Sequence, residues 1–214
     1  MTGKREIKKE IVQEGKWLRF FNSHFMDTES EPPKMRTYEC IERIGTREDK
    51  ADGVEMIVFV HHHKQQQQED QKETEIVIVE QYRAPVNRKC VEFPAGLVEK
   101  GEEVIEGALR ELKEETGLSA ERKSVRNGTN PLVMIDPSIT SDSEQIFVID
   151  VDGDDPRNFE PQKKQELDDD EHIVVRMIPL KLFRVVCEEY HRRGFFNDAK
   201  VWVFALTISS FILN

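Results

Sequence analysis

The chain has 214 residues, of which 37% are hydrophobic and 34% charged, and its formal net charge is −11. That length can bury a core without disulfides, and the acidic balance argues against general nucleic-acid binding, which needs a basic face. The apolar stretches are short and broken by polar residues, so no segment is long enough to span a membrane. The charged N-terminus, Met1 to Lys9, lacks the apolar run of a secretory signal, and three widely spaced cysteines (Cys40, Cys90 and Cys187) read as reduced packing residues of an intracellular protein.

In chain order, Lys16 to Phe21 and Met35 to Ile41 read as strands joined by a polar, Pro-containing turn, Asp27 to Lys34. They form an N-terminal hairpin standing apart from the rest. Val54 to Val60 and Glu75 to Glu80, rich in β-branched residues, make a second pair. The His/Gln-rich stretch between them, His61 to Lys72, reads as a polar hairpin loop. Its adjacent histidines cannot converge on one metal ion, because neighbours on an extended segment point to opposite faces. Val91 to Phe93 is a short strand, and Glu103 to Gly117 a helix. Pro131 to Ile135, Glu144 to Ile149 and His172 to Ile178 are further strands, and the acidic run Gln165 to Glu171 is a loop. Two helices, Leu180 to Arg193 and Asp198 to Phe211, end the chain. Mixed strands with few helices indicate an α+β fold with helices packed on a mixed sheet.

The chemistry concentrates in Gly96-Leu97-Val98-Glu99-Lys100-Gly101-Glu102 and, seven residues on, Arg110-Glu111-Leu112-Lys113-Glu114-Glu115-Thr116-Gly117-Leu118. On a helix, Glu111, Glu114 and Glu115 share a face and repel one another, a penalty that an oxygen-ligated Mg²⁺ or Mn²⁺ reverses. Val104, Ala108 and Leu112 make the core-facing stripe. Arg110 can hold carboxylates by bidentate pairing. Gly117 suits the helix end, and Gly96 and Gly101 suit tight turns. A solvated Glu/Lys helix is the plainer alternative. The full pattern of glycines, glutamates and arginine arises by chance on the order of 10⁻⁷ in a chain this long, given average residue usage.

This stretch resembles the Nudix box at every defined position. The resemblance implies an α/β/α sandwich on a mixed sheet and hydrolysis of nucleoside diphosphates linked to another group. Glu111, Glu114 and Glu115 would be metal ligands, supported by Glu102 and Arg110. Flanking segments are similar to the ADP-ribose/ADP-sugar pyrophosphatase group: Glu14-Gly15-Lys16-Trp17, Arg36-Thr37-Tyr38-Glu39, Gln81-Tyr82-Arg83-Ala84-Pro85, Glu92-Phe93-Pro94-Ala95-Gly96-Leu97 and Asp136-Pro137.

That similarity implies further roles. The Ala95 carbonyl would join the glutamates around two or three Mg²⁺ ions, with Mn²⁺ an alternative. Trp17 and Tyr38, one from each subunit of a homodimer, would sandwich adenine, with Glu39 beside them. Arg43 and Arg83 would hold phosphates, and Glu92, Leu97 and Asp136 would contact the nucleotide or terminal ribose. Glu171 would be the base and a further metal contact, with Asp168, Asp169 and Asp170 as rivals, and Glu115 and Arg110 would complete the catalytic set. Residues 1–48 are expected to form the dimerising, adenine-stacking extension and 49–214 the hydrolase domain. The expected reaction is hydrolysis of ADP-ribose or an ADP-sugar to AMP and a sugar phosphate in the cytosol or nucleus, without a nucleic-acid polymer or membrane. Oxidised nucleoside diphosphates and dinucleotides are alternative substrates. A silent ADP-ribose-binding module is the alternative of another class, although here every box carboxylate is kept.

Overall fold

A computed structural model describes residues 4–45, 50–62, 74–126, 131–159, 164–167 and 171–212. The chain divides into two units, 1–52 with 132–144, and 53–131 with 145–214.

In the first unit three antiparallel strands follow one another: β1 (Lys4–Glu14), β2 (Leu18–Asp27) and β3 (Lys34–Arg43). The expected hairpin is therefore a three-stranded sheet. β1 went unread because its charged residues dilute the alternation by which a half-buried strand is recognised. Trp17 falls in the turn between β1 and β2, where the Gly15 amide donates to the Leu18 carbonyl at 2.8 Å. Glu42, buried on this sheet, accepts from Lys9 and from Arg19. β8 (Val133–Met134) pairs with the first residues of β9 (Ser143–Asp152), and β3 joins the loop between them through the Ile41 amide and the Ile139 carbonyl, 2.9 Å apart.

The second unit carries a mixed sheet. It contains β4 (Gly53–His61), β5 (Glu75–Arg83), β6 (Arg88–Glu92), the remainder of β9, and β11 (Phe196–Asn197), in the order β11-β6-β5-β4-β9. β7 (Ala95–Leu97) pairs with β4, and β10 (Val174–Pro179) with β5. β11 runs parallel to β6, which makes the sheet mixed. Alternation along β4 sends its side chains to two cores. Val54, Met56, Val58 and Val60 pack with Ala108 and Leu112 of α1 (Val104–Thr116). Phe59 and Ile57 pack with Phe183 and Cys187 of α2 (Phe183–Arg192), and with Val201 and Ala205 of α3 (Ala199–Ile212). One helix on one face and two on the other is the expected α/β/α sandwich.

His61 ends β4 rather than belonging to the loop, and its Nε2 lies 2.8 Å from Asp150. Residues 63–73, most of the expected His/Gln-rich loop, lie outside the described residues, as do Asp168, Asp169 and Asp170. Cys90 and Cys187 are buried and unpaired, and burial pushes the Cys187 thiol up to about 12, which leaves it unreactive. No described helix is long and apolar enough to cross a membrane.

Candidate active site

Helix α1 forms because Val104, Ala108 and Leu112 bury one stripe. It ends at Gly117, whose φ of 69° suits only a residue without a side chain and whose amide caps the Lys113 carbonyl at 2.8 Å. Two more carbonyls of its last turn are capped from the acidic loop: the Glu166 amide donates to the Glu114 carbonyl (2.8 Å), and Gln165 Nε2 to the Glu115 carbonyl (2.6 Å). Gln165 also reaches the Ile173 carbonyl at 3.1 Å, and Lys113 pairs with Glu166 at 2.8 Å. These contacts tether to α1 the segment that leads to Glu171. Reading the stretch as a loop missed them, since a solvated acidic run and a docked one have the same composition.

Arg110 is the organising cation of the exposed face. Its fork meets Glu102 through Nε–Oε1 (3.0 Å) and Nη2–Oε2 (3.1 Å). Nη1 donates to both Glu111 and Glu114 at 2.8 Å, and Nη2 to the Leu97 carbonyl at 2.9 Å. Glu102, foremost, and then Glu111 and Glu114 hold this guanidinium firmly protonated. Gly107 opens the way for Glu102, since a Cβ there would lie 3.0 Å from its carboxylate.

Gly101 takes the left-handed conformation expected of a turn glycine, with φ of 92°. Gly96 does not: it lies in strand β7, and its missing side chain has another use. A Cβ at Gly96 would sit 2.0 Å from Glu111 Cδ, so the Glu111 carboxylate rests in the space a side chain would fill. Burial pushes the Glu111 carboxyl up against the opposing pull of Arg110, and the charges of Glu114 and Glu171 add to the rise. Glu115 is only 5% exposed and receives the Ala95 amide at 2.9 Å. Burial, reinforced by Glu111 and Glu171, pushes it up to about 8, while the Ala95 amide and the Arg83 charge work the other way. β4 positions this stretch, with Glu55 opposite Ala95 in register and the Met56 amide 2.8 Å from the Pro94 carbonyl.

The second unit thus gathers Ala95, Leu97, Arg110, Glu111, Glu114 and Glu115, with Glu171 and Arg83 near enough for their charges to act on Glu115. Arg83 and Glu92 bind each other, Arg83 Nε lying 2.8 and 3.1 Å from the two carboxylate oxygens. Leu97 presents an exposed side chain while its carbonyl serves Arg110.

The first unit holds the other expected contacts. Trp17 is 68% exposed with Lys16 over its ring at 4.4 Å, and its carbonyl accepts from the Ile44 amide at 2.9 Å. Arg43 pairs with Asp142 at 2.9 Å. Asp136 accepts from the Ser138 amide, and its carbonyl caps Ile139 and Thr140. Tyr38 and Glu39 are exposed on β3.

The donors around Glu111 and Glu115 are hard oxygens, the ligand set that suits Mg²⁺ or Mn²⁺. Two carboxyls pushed up by burial and by neighbouring carboxylates mark a place where negative charge exceeds its local compensation. In this arrangement Glu111 and Glu114 turn to Arg110 and Glu115 to the Ala95 amide. Among the described residues no three His, Cys, Asp or Glu side chains converge to hold an ion. The donor chemistry fits a divalent cation, and side-chain rotation would bring the oxygens to it.

The NUDIX domain profile matches residues 65–196. The chain is 31% identical over 204 residues to the ADP-sugar pyrophosphatase of Mus musculus, covering 93% of this chain and 84% of that protein. It is 36% identical over 130 residues to the ADP-ribose pyrophosphatase of Saccharomyces cerevisiae (61% and 54%), and 36% identical over 111 residues to that of Bacillus subtilis (51% and 54%). Nudix hydrolases generally use a divalent metal such as Mg²⁺. With the α/β/α sandwich, the glutamate face organised by Arg110 and a profile match over most of its length, the chain belongs to the Nudix family.

Proposed function

We propose that this chain hydrolyses the pyrophosphate bond of ADP-ribose and related ADP-sugars, giving AMP and a sugar phosphate. The observation that carries the reading is the glutamate face of α1. Arg110 holds Glu111 and Glu114 there, and the Ala95 amide holds the buried Glu115. The names of the mouse, yeast and Bacillus relatives supply the substrate class.

Glu111, Glu114, Glu115 and the Ala95 carbonyl would hold two or three Mg²⁺ ions, or Mn²⁺ in their place, with Glu171 as a further contact. Bound there, the cations neutralise the diphosphate and ease nucleophilic attack on phosphorus. Glu171 takes the proton of the attacking water. As the new P–O bond forms, the bridging P–O bond breaks and its electron pair leaves with the departing phosphate. The influence of Glu171 on Glu111 and Glu115 supports that assignment. Arg110 is a positioning residue that aims the carboxylates. Arg83 holds phosphate while sharing its fork with Glu92, which together with Leu97 contacts the nucleotide or ribose.

Residues 1–48 form the recognition and dimerisation extension, and 49–214 the hydrolase domain. Trp17 and Tyr38 stack on adenine, with Glu39, Arg43 and Asp136 as neighbouring contacts. The Trp17 carbonyl accepts from the Ile44 amide and Ser23 pairs with Tyr38, so Trp17 and Tyr38 stand about 20 Å apart along the strands at their usual rise. One protomer therefore cannot close both rings on one base, which favours a homodimer in which each subunit supplies one. Cytosol or nucleus is the proposed compartment.

The test is incubation with Mg²⁺ and a panel of ADP-ribose, ADP-sugars, a dinucleotide and an oxidised nucleoside diphosphate, with products read by chromatography. AMP and ribose 5-phosphate should dominate, and Glu111→Gln should lose the activity while folding normally. Preference for another compound would discard the substrate assignment. Silence on all, with ADP-ribose binding retained, would make the chain a binding module.

A further inference from the structure

We propose that the buried ion pair between Glu55 and Lys200 is a positioning element for the metal site, holding the backbone of Ala95 from the face of the sheet away from α1. The inference rests on the reading of the Ala95 carbonyl as a metal ligand. Glu55 is 3% exposed, and its carboxylate accepts from Lys200 Nζ in the first turn of α3. Glu55 stands opposite Ala95 in register. Hydrogen-bonded and non-hydrogen-bonded pairs alternate along an antiparallel ladder. The Met56 amide bonds the Pro94 carbonyl at 2.8 Å, so Glu55 and Ala95 form a pair of the non-bonded kind. Their side chains share a face, and the Cα atoms of such pairs lie about 4.5 Å apart. The amide and carbonyl of Ala95 then point away from β4, and the amide reaches Glu115 at 2.9 Å. What fixes Glu55 therefore fixes the strand position from which Ala95 serves the site.

The start of α3 is itself fastened to β6. The Asp198 amide donates to the Val91 carbonyl at 2.9 Å, Asn197 pairs with Val91, and Asp198 Oδ1 accepts from the Lys200 amide at 2.8 Å. Between these anchors Phe93 packs on Phe183 and Phe204, with ring centroids 6.2 and 5.6 Å apart. The first residues of α3 thus brace the chain at Val91 and, through Glu55, at Ala95.

Stability alone gives no reason for this ion pair. The next residues on the same face of β4, Ile57 and Phe59, pack in an apolar core. Taking a carboxylate out of water there is expensive, and apolar residues of similar volume in place of a buried ion pair are often neutral or stabilising. Apolar burial is non-directional, however. An ammonium and a carboxylate fix one point of α3 against one point of β4, where an apolar pair can slide. Partners placed behind a metal ligand are typically worth about 10–100-fold in metal affinity or activity.

The probe is Mn²⁺ alone, titrated into the full chain without substrate and followed by the electron paramagnetic resonance of the free ion, beside thermal unfolding. Glu55→Met/Lys200→Met should fold with a melting temperature at or above that of the parent, yet bind Mn²⁺ roughly tenfold more weakly. Glu55→Gln keeps the shape and still accepts from Lys200 without the charge. Its affinity should fall between the two, and it carries the test if the methionine pair does not fold. The Mg²⁺ concentration that half-saturates ADP-ribose hydrolysis should rise in the same order, while KM for ADP-ribose at saturating Mg²⁺ stays unchanged. Parent-level Mn²⁺ affinity in a folded variant, or affinity that falls only in step with the melting temperature, would overturn the proposal and leave the metal site standing. A parent chain that binds no Mn²⁺ would overturn it together with the metal site.

Discussion

Gly96→Ala should separate activity from stability. A Cβ at this position would stand 2.0 Å from Glu111 Cδ and 2.3 Å from both carboxylate oxygens. Ordinary van der Waals contact begins near 3.4 Å, so the carboxylate must retreat by more than an ångström. Glu111 Oε1 is held by Arg110 Nη1 at 2.8 Å, and that bond stretches or breaks as the group moves. A misplacement of about 1 Å in catalytic machinery can cost on the order of 100-fold in rate, equivalent to about 2.7 kcal/mol of barrier. The strand backbone at Gly96 has no left-handed φ, so alanine introduces no backbone strain. Losing the flexible glycine from the unfolded chain even favours folding by about 0.4–1 kcal/mol. The assay is AMP release from ADP-ribose with saturating Mg²⁺, run beside thermal unfolding. Activity should fall about 100-fold while the melting temperature holds or rises slightly. Parent-level activity would refute the claim that this close approach places Glu111. A large loss of stability would show that the strand, rather than the carboxylate, yields.

Trp17→Ala should raise KM about tenfold with little change in kcat, because a lost base stack costs roughly 1–3 kcal/mol of binding. A fall in kcat alone would remove Trp17 from recognition. Gln165→Ala should leave the Glu115 and Ile173 carbonyls short of a partner, at about 1 kcal/mol for each lost hydrogen bond. It should also lower kcat by loosening the path to Glu171, and hydrogen exchange of residues 164–167 reads this directly. For Asp150, hydrogen bonds from Arg126, foremost, and from His61 lower the carboxyl to about 2. The ionised form therefore stabilises the fold above the unfolded value of about 4, and this contribution disappears as pH falls through about 2. Its side chain is 35% exposed, so after discounting for solvent screening the contribution is about 1 kcal/mol. Urea unfolding should show Asp150→Asn weaker by that amount near neutrality, with the gap closing below about pH 4. A gap that does not depend on pH would sink the assignment.

Local pattern by itself determined the helix that carries the glutamates, its apolar stripe and its glycine stop. Each depends on residues within a few turns of one another, where helical periodicity makes spacing equivalent to position. The same holds for most strands of the sandwich and for the family resemblance. Only the tertiary structure decided what those glutamates touch. Glu115 is set apart from Glu111 and Glu114 by burial against the Ala95 amide, and Gly96 serves as the seat of a carboxylate rather than as a turn. Arg83 and Glu92, read separately as substrate contacts, bind each other across neighbouring strands. The acidic run around Gln165 is docked on the end of α1. Such contacts join segments far apart along the chain, and their distances are set by how strands and helices pack, a property that composition and spacing do not encode.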